Sequence, residues 1–261
     1  MQHLPVIPDI AQSERNLLFT LKFDGSVFHG WQIQNNALTV QQVFQEAVAK
    51  IIGKCPDIKG CSRTDSGVHA NMFCISMRVH HPIPCERFRS AVNAHLPEEV
   101  VVTNVIEVPL DFHARYSALG KRYIYKVHNS QVRDPFLRGR VLHYRRPINA
   151  ELLNEASKAF MGAHDFTSFC TLDKREVGDF VRNVTDFSVW REGDMVYFSV
   201  SADGFLYNMV RIMVGTLLYI NEGGTTADAI PHIIEAKNRS QAGPTAPACG
   251  LYLDEVFYDL S

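Results

Sequence analysis

The apolar run Leu17 to Phe23, closed by the turn signal Asp24-Gly25, predicts a strand. Thr39 to Ile52 carries Val40, Val43, Phe44, Ala47, Val48 and Ile51 at helical spacing. Thr39 and Gln42 fit a capping box at its start, and Gly53 stops it. Strands follow at Asp57 to Ser62 and at Asn71 to Val79; the second sets Phe73, Ile75, Met77 and Val79 on one side and Met72, Cys74, Ser76 and Arg78 on the other. A helix around Pro84 to His95 and a strand at Val100 to Glu107 complete the order β-α-β-β-α-β of a ferredoxin-like or RRM-like unit.

The second half repeats this theme loosely, without a visible sequence repeat. Lys121 to His128 and Val141 to Tyr144 predict strands, and Asn149 caps a helix to about Met161. Arg182 to Trp190 and Met195 to Ser201 form a hairpin across Arg191 to Asp194. Phe205 to Ile220 is a long apolar helix, Pro231 to Lys237 a shorter one, and Leu251 to Tyr258 a closing strand. The expected class is α+β: two such units with mostly antiparallel sheets, joined near Leu110 to Ala114. This puts an N-terminal domain at residues 1–112 and a C-terminal domain at 113–261.

Composition narrows the function. The 261 residues are 46% hydrophobic and 21% charged, which excludes disorder as the dominant state. Met209 to Ile220, the best apolar run, falls short of the about 18 residues of a membrane span and contains Arg211. The segment MQHLPVIPDIAQSER has neither the basic nor the apolar region of a signal peptide and reads as a short disordered lead-in, so a cytoplasmic protein is expected. The six cysteines form no CxxC, and the eleven histidines no HExxH, so no metal is expected and the thiols, Cys61 and Cys170 included, read as packing.

The net charge of −2 is unevenly spread. From His113 to Arg146 stand nine cations (Arg115, Lys121, Arg122, Lys126, Arg133, Arg138, Arg140, Arg145 and Arg146) and one acid, Asp134, for a local charge of +8. Tyr116, Tyr123, Tyr125, Phe136 and Tyr144 are interleaved with them. Cations neutralise phosphates and aromatic faces stack on unpaired bases, so this mixture suits RNA; a solvated basic strand pair is the plainer alternative.

Three places can carry chemistry. Arg211 is the lone charge in Asn208-Met-Val-Arg-Ile-Met-Val-Gly215, with no carboxylate three or four residues away. It must snorkel to water or find an acid elsewhere in the chain. Gly60-Cys-Ser-Arg-Thr-Asp-Ser-Gly-Val-His-Ala70 places Arg63, Asp65 and His69 on one short loop between strands, either as a site or as a turn with a surface ion pair. In Gly120-Lys-Arg-Tyr-Ile-Tyr125, Tyr123 and Tyr125 share one face of a strand, as core or as a stacking platform.

These segments, the arginine one taken from Phe205 to Gly215, with Phe23-Asp-Gly-Ser-Val-Phe-His-Gly-Trp-Gln32 and Ala242-Gly-Pro-Thr-Ala-Pro-Ala-Cys-Gly-Leu-Tyr-Leu253, closely resemble the motifs of the TruA family of tRNA pseudouridine synthases. Five motifs stand in family order from residue 23 to 253. The resemblance implies the pseudouridine synthase fold, with the sheets meeting across a central cleft. It makes Asp65 the essential aspartate, Arg211 its partner and Tyr123 the ring stacked on the target base. Arg63 matches an arginine that displaces the target nucleotide, and Leu251 or Leu253, with Leu251 preferred, a pocket wall. Ser66 replaces a common Ala and Phe23 a frequent Tyr, and neither departure puts the implied activity in doubt. The implied substrate is uridine at positions 38 to 40 of the tRNA anticodon arm, handled by a homodimer without a cofactor. A non-catalytic RNA-binding module would not need Asp65. A methyltransferase would want a glycine-rich cofactor loop and a metal hydrolase a ligand cluster, and neither motif is found. A family member acting on other RNA positions fits the same residues.

Overall fold

The computed structural model describes residues 13–171 and 178–260, so the lead-in expected at the N-terminus lies almost wholly outside the described residues. The first half runs β1 (Arg15–Phe23), α1 (Val40–Ile52), β2 (Ile58–Gly60), β3 (His69–Val79), α2 (Cys85–Asn93) and β4 (Val100–Val108). Its strands lie in the order β4-β1-β3-β2 with antiparallel neighbours, the arrangement of a ferredoxin-like unit. Phe19 of β1 meets Phe44 of α1 and Phe88 of α2 edge-on, each at 5.4 Å, so both helices cover one face of the strands. Thr39 caps α1 by accepting from the Gln42 amide, and Gly53 ends it at φ 81°. The expected capping box is only half formed, because the Gln42 side chain donates to Glu46 instead of turning back.

The second half runs β5 (Ala118–Asn129), β6 (Leu142–Tyr144), α3 (Ala150–Ser157), β7 (Gly162–Asp165), β8 (Val181–Glu192), β9 (Met195–Ala202), α4 (Met209–Asn221), α5 (Ala229–Glu235) and β10 (Leu251–Tyr258). The order β10-β5-β9-β8 repeats the first unit's scheme. The short β7 extends the edge beyond β8, and β6 runs parallel to β5.

One sheet unites the halves, and β10 is the seam. It pairs antiparallel with β5 along its length and parallel with β3 through Tyr252↔His69 and Leu253↔Ala70. Asp254 bridges all three strands, accepting from Asn71 Nδ2 of β3 at 2.8 Å and from Arg122 Nε of β5 at 2.8 Å. Among the described residues no helix is long and apolar enough to cross a membrane.

α4 starts at Met209, later than the apolar pattern suggests, because Asn208 adopts the left-handed conformation at φ 63° and breaks the helical path. Most of α4 is buried, as its uniform apolarity requires. Its Gly215 faces the 243–246 segment so closely that a Cβ would land on the Pro244 carbonyl oxygen. Gly215→Ala must push that backbone away, and we expect a loss of about 1–3 kcal/mol in stability. Thermal unfolding checks this, and an unchanged Tm would contradict the close approach. The same segment holds Arg211, so activity should fall with it.

Candidate active site

Asp65 lies on the loop between β2 and β3, which is fixed at several points. Trp31 N donates to Thr64 O at 3.2 Å, Gly67 N to Phe28 O at 3.2 Å, and Val68 N closes a turn on Asp65 O at 3.2 Å. Gly30, at φ +83°, lies against the Thr64 carbonyl so closely that any side chain there would collide with it. The Phe23–Gln32 segment thus holds the aspartate loop in place.

Arg211 reaches this loop from α4, 146 residues away in sequence. Its Nη1 lies 3.1 Å from Asp65 Oδ2. The same Nη1 donates to Asn208 Oδ1 at 2.7 Å, and Nε donates to Ala246 O at 2.8 Å. Ala246 N in turn donates to Arg211 O at 3.0 Å, so arginine and loop clamp each other. The acid that Arg211 required is therefore Asp65. Side-chain exposure of 17% for Arg211 and 30% for Asp65 leaves the carboxylate open to an incoming molecule while the guanidinium backs it.

Tyr123 of β5 completes the cluster. It is only 6% exposed, its ring stands edge-on to Phe205 at 5.0 Å, and its hydroxyl lies 3.4 Å from Ser62 Oγ. Burial pushes its phenol well above the usual range, so it stays protonated. Leu253 lies directly across from Tyr123, and Leu251 across from Tyr125. Both leucines are buried, Leu253 fully and Leu251 with 6% exposure. Arg63 is exposed and has no ion pair among the described residues. Tyr125 is core, with its hydroxyl donating to Pro247 O at 2.7 Å.

His69 separates from the cluster. It begins β3, is buried, and stacks on Tyr252 at 4.5 Å, while Lys126 Nζ sits 3.8 Å from the centre of the Tyr252 ring. Gly25 N donates to its Nδ1 at 3.0 Å, and its Nε2 donates toward Gly139 O and Cys249 O. With Nδ1 accepting from Gly25 N and Nε2 facing two carbonyls, the imidazole carries its proton on Nε2 when neutral, while Asp24 Oδ1, 3.2 Å from Nδ1, favours the charged form. Burial lowers its pKa from 6.5 and outweighs the opposing pull of Asp24. The unfolded chain therefore binds a proton that the folded chain refuses. The contribution of His69 to stability is full above 6.5 and declines as pH falls below it. We expect Tm to drop between pH 7.5 and 5.5, and the non-titrating His69→Asn to show a shallower drop. Equal slopes in both proteins would refute this.

The basic stretch is less uniform than its sequence. Arg122 is paired with Asp254 and Glu255, Arg140 with Asp24, and Arg146 with Glu222. Tyr144 is tied to Glu222, while Tyr116 and Phe136 are 77% and 85% exposed. Among the described residues no three His, Cys, Asp or Glu side chains group as metal ligands. Cys61, fully buried, has its thiol pushed up to about 11 by burial and accepts from Cys74 N at 3.3 Å, which fits packing.

Sequence reasoning missed Asn208, Ala246 and Ser62, which hold the catalytic candidates in place. Asn208 stands three residues before Arg211, just outside the helix, and as a neutral acceptor it carries no charge to mark it as the partner of an arginine.

The family model for tRNA pseudouridine synthase matches residues 20–117 and 156–259. A tRNA pseudouridine synthase A from Acetivibrio thermocellus is 45% identical over 244 residues, covering 94% of this chain and 100% of the relative. The namesake from Ruminiclostridium cellulolyticum is 43% identical over 245 residues, with 94% and 100% covered. That from Halalkalibacterium halodurans is 44% identical over 231 residues, with 88% and 87% covered. With the motifs, the repeated α+β unit and the similarity all in agreement, the chain belongs to the tRNA pseudouridine synthase family.

Proposed function

We propose that this protein converts uridine to pseudouridine at positions 38 to 40 of the tRNA anticodon arm, with Asp65 as the catalytic group. The observation that carries this reading is the 3.1 Å contact between Asp65 and Arg211. It brings an ionisable carboxylate and a fixed cation together from two distant parts of the chain, and Ser62, three residues before Asp65, lies 3.4 Å from the Tyr123 hydroxyl.

The reaction breaks the N1–C1′ bond and forms a C5–C1′ bond. C5 loses its proton and N1 gains one, so atoms and charge balance without an oxidant or a phosphoryl donor, and no cofactor is called for. The ionised carboxylate either attacks C1′ or takes the 2′ proton, and both routes need the same charge in the same place. Arg211, preorganised by Asn208 and Ala246, orients Asp65 and stabilises its charge. Tyr123 supports the base from below without competing as a base, since its phenol stays protonated. Arg63, exposed and unpaired among the described residues, takes the space the flipped nucleotide leaves. Leu251 forms an apolar wall.

The protein acts as a homodimer in the cytoplasm, the two subunits presenting their basic surfaces to one tRNA. Mapping pseudouridines in unmodified tRNA after incubation with the purified protein tests the reading. Modification confined to positions 38 to 40 supports it, and modification elsewhere reassigns the target. Sedimentation as an active monomer would remove the dimer.

A further inference from the structure

β5 treats its two faces oppositely. On one face Arg122 is neutralised by Asp254 and Glu255. On the other, Lys121 precedes Tyr123 by two residues and shares its face, about 6.6 Å along the strand. Lys121 is partly buried, and among the described residues its ammonium has no hydrogen bond or ion pair. An ammonium removed from water without a partner is unfavourable, so a structural role alone leaves this side chain unexplained.

Its surroundings make the imbalance larger. Lys121 pairs through the backbone with Ala202 of β9 and Val256 of β10. The Arg182 side chain lies against Gly204, just beyond Ala202, and its guanidinium donates to the carbonyls of Asp179 and Val181, with no carboxylate partner among the described residues. Arg115 lies over the Tyr116 ring at 5.7 Å and also lacks a carboxylate partner among the described residues. Burial first, and then the charges of Arg115 and Arg182, lower the Lys121 pKa; nearby Cys61 acts the other way. Cys61 opens the loop that leads through Ser62, beside the Tyr123 hydroxyl, to Asp65.

We propose that Lys121, with Arg115 and Arg182 around it, is a binding site for a backbone phosphate of the RNA next to the target nucleotide. A phosphate supplies the anion that the protein withholds, at the point where the strand face carrying Tyr123 meets the rim of the Asp65 loop. The site lies where a nucleotide flipped onto Tyr123 leaves its neighbouring linkage. This rests on the reading of the chain as an enzyme acting on tRNA.

The test uses Lys121→Met, which keeps the apolar stem and removes the charge, and Lys121→Arg, which restores the charge. tRNA affinity is measured from low to moderate salt. Lys121→Met should bind about tenfold more weakly and reduce the slope of log affinity against log salt by about one. Lys121→Arg should return close to the native slope, and Lys50→Met on α1 should leave it unchanged. Replacing the linkage on either side of the target uridine by a neutral methylphosphonate should weaken binding to the native protein but not to Lys121→Met. A folded Lys121→Met with native affinity and slope would overturn the site, as would a methylphosphonate effect that persists in that variant. If the native protein binds tRNA with the expected slope yet forms no pseudouridine, the functional reading fails while the phosphate site stands. If it forms pseudouridine and Lys121→Met is unaffected, only the phosphate site fails.

Discussion

Asp65→Asn should lower the rate of pseudouridine formation at least about a thousandfold, equivalent to about 4 kcal/mol of barrier. The amide has the carboxylate's shape and can still accept from Arg211 Nη1 through its oxygen, so the loop anchored by Trp31, Gly67 and Val68 stays in place. What disappears is the charge, and with it both nucleophilic attack at C1′ and removal of the 2′ proton. The loss should fall on kcat, with tRNA affinity within about threefold of native, the signature of an interaction that matters in the transition state. Single-turnover kinetics with chromatography of the digested nucleosides reads both quantities. A variant retaining more than about a tenth of the native rate would move the chemistry to another group.

Arg211→Lys should be the next most damaging change, with kcat about a hundredfold lower, the scale on which one preorganised donor matters. The guanidinium does three things from one partly buried position. Nη1 meets Asp65 and Asn208, and Nε meets Ala246 O. An ammonium keeps the charge but cannot hold that fork. The Asp65 carboxylate then loses its fixed bearing, and the Ala246 carbonyl and Asn208 amide oxygen compete for fewer donors. The pair is partly open to solvent, so the effect on stability should be smaller than the effect on rate. Circular dichroism on melting and steady-state kinetics separate the two. Native kcat in Arg211→Lys would mean that charge alone, not the fork, suffices.

Local chemistry made much of this molecule legible in its sequence. Arg211 in an apolar helix without a nearby acid pointed to a distant partner, because burying an unpaired guanidinium is unfavourable; the partner is Asp65. Thr39 and Asn149 cap the helices they were expected to cap. β7 escaped, since the four residues Gly162–Asp165 include His164 and Asp165 and carry no alternating apolar pattern. The start of α4 escaped because Phe205 to Tyr207 continue the apolar run, and only the left-handed turn at Asn208 sets the boundary. The expected helix to Met161 ends at Ser157 and tightens into a 3-10 turn through Phe160. The seam was not readable, because β10 meets β3 in just two residue pairs across about 180 positions of chain, and nothing local encodes such a contact. The charge of +8 from His113 to Arg146 overstated the free positive surface, since its neutralising acids, Asp24, Glu222, Asp254 and Glu255, all lie outside that stretch.

Release of tritium from tRNA labelled at uridine C5 tests the central claim most directly. Rejoining the base to the sugar through C5 expels the C5 hydrogen, so release counts isomerisation events and nothing else in the proposed reaction. The native protein should release tritium from anticodon-arm uridines in proportion to the pseudouridine formed. Tight, salt-dependent tRNA binding without any release would contradict the account and leave a protein that binds RNA but does not act on it.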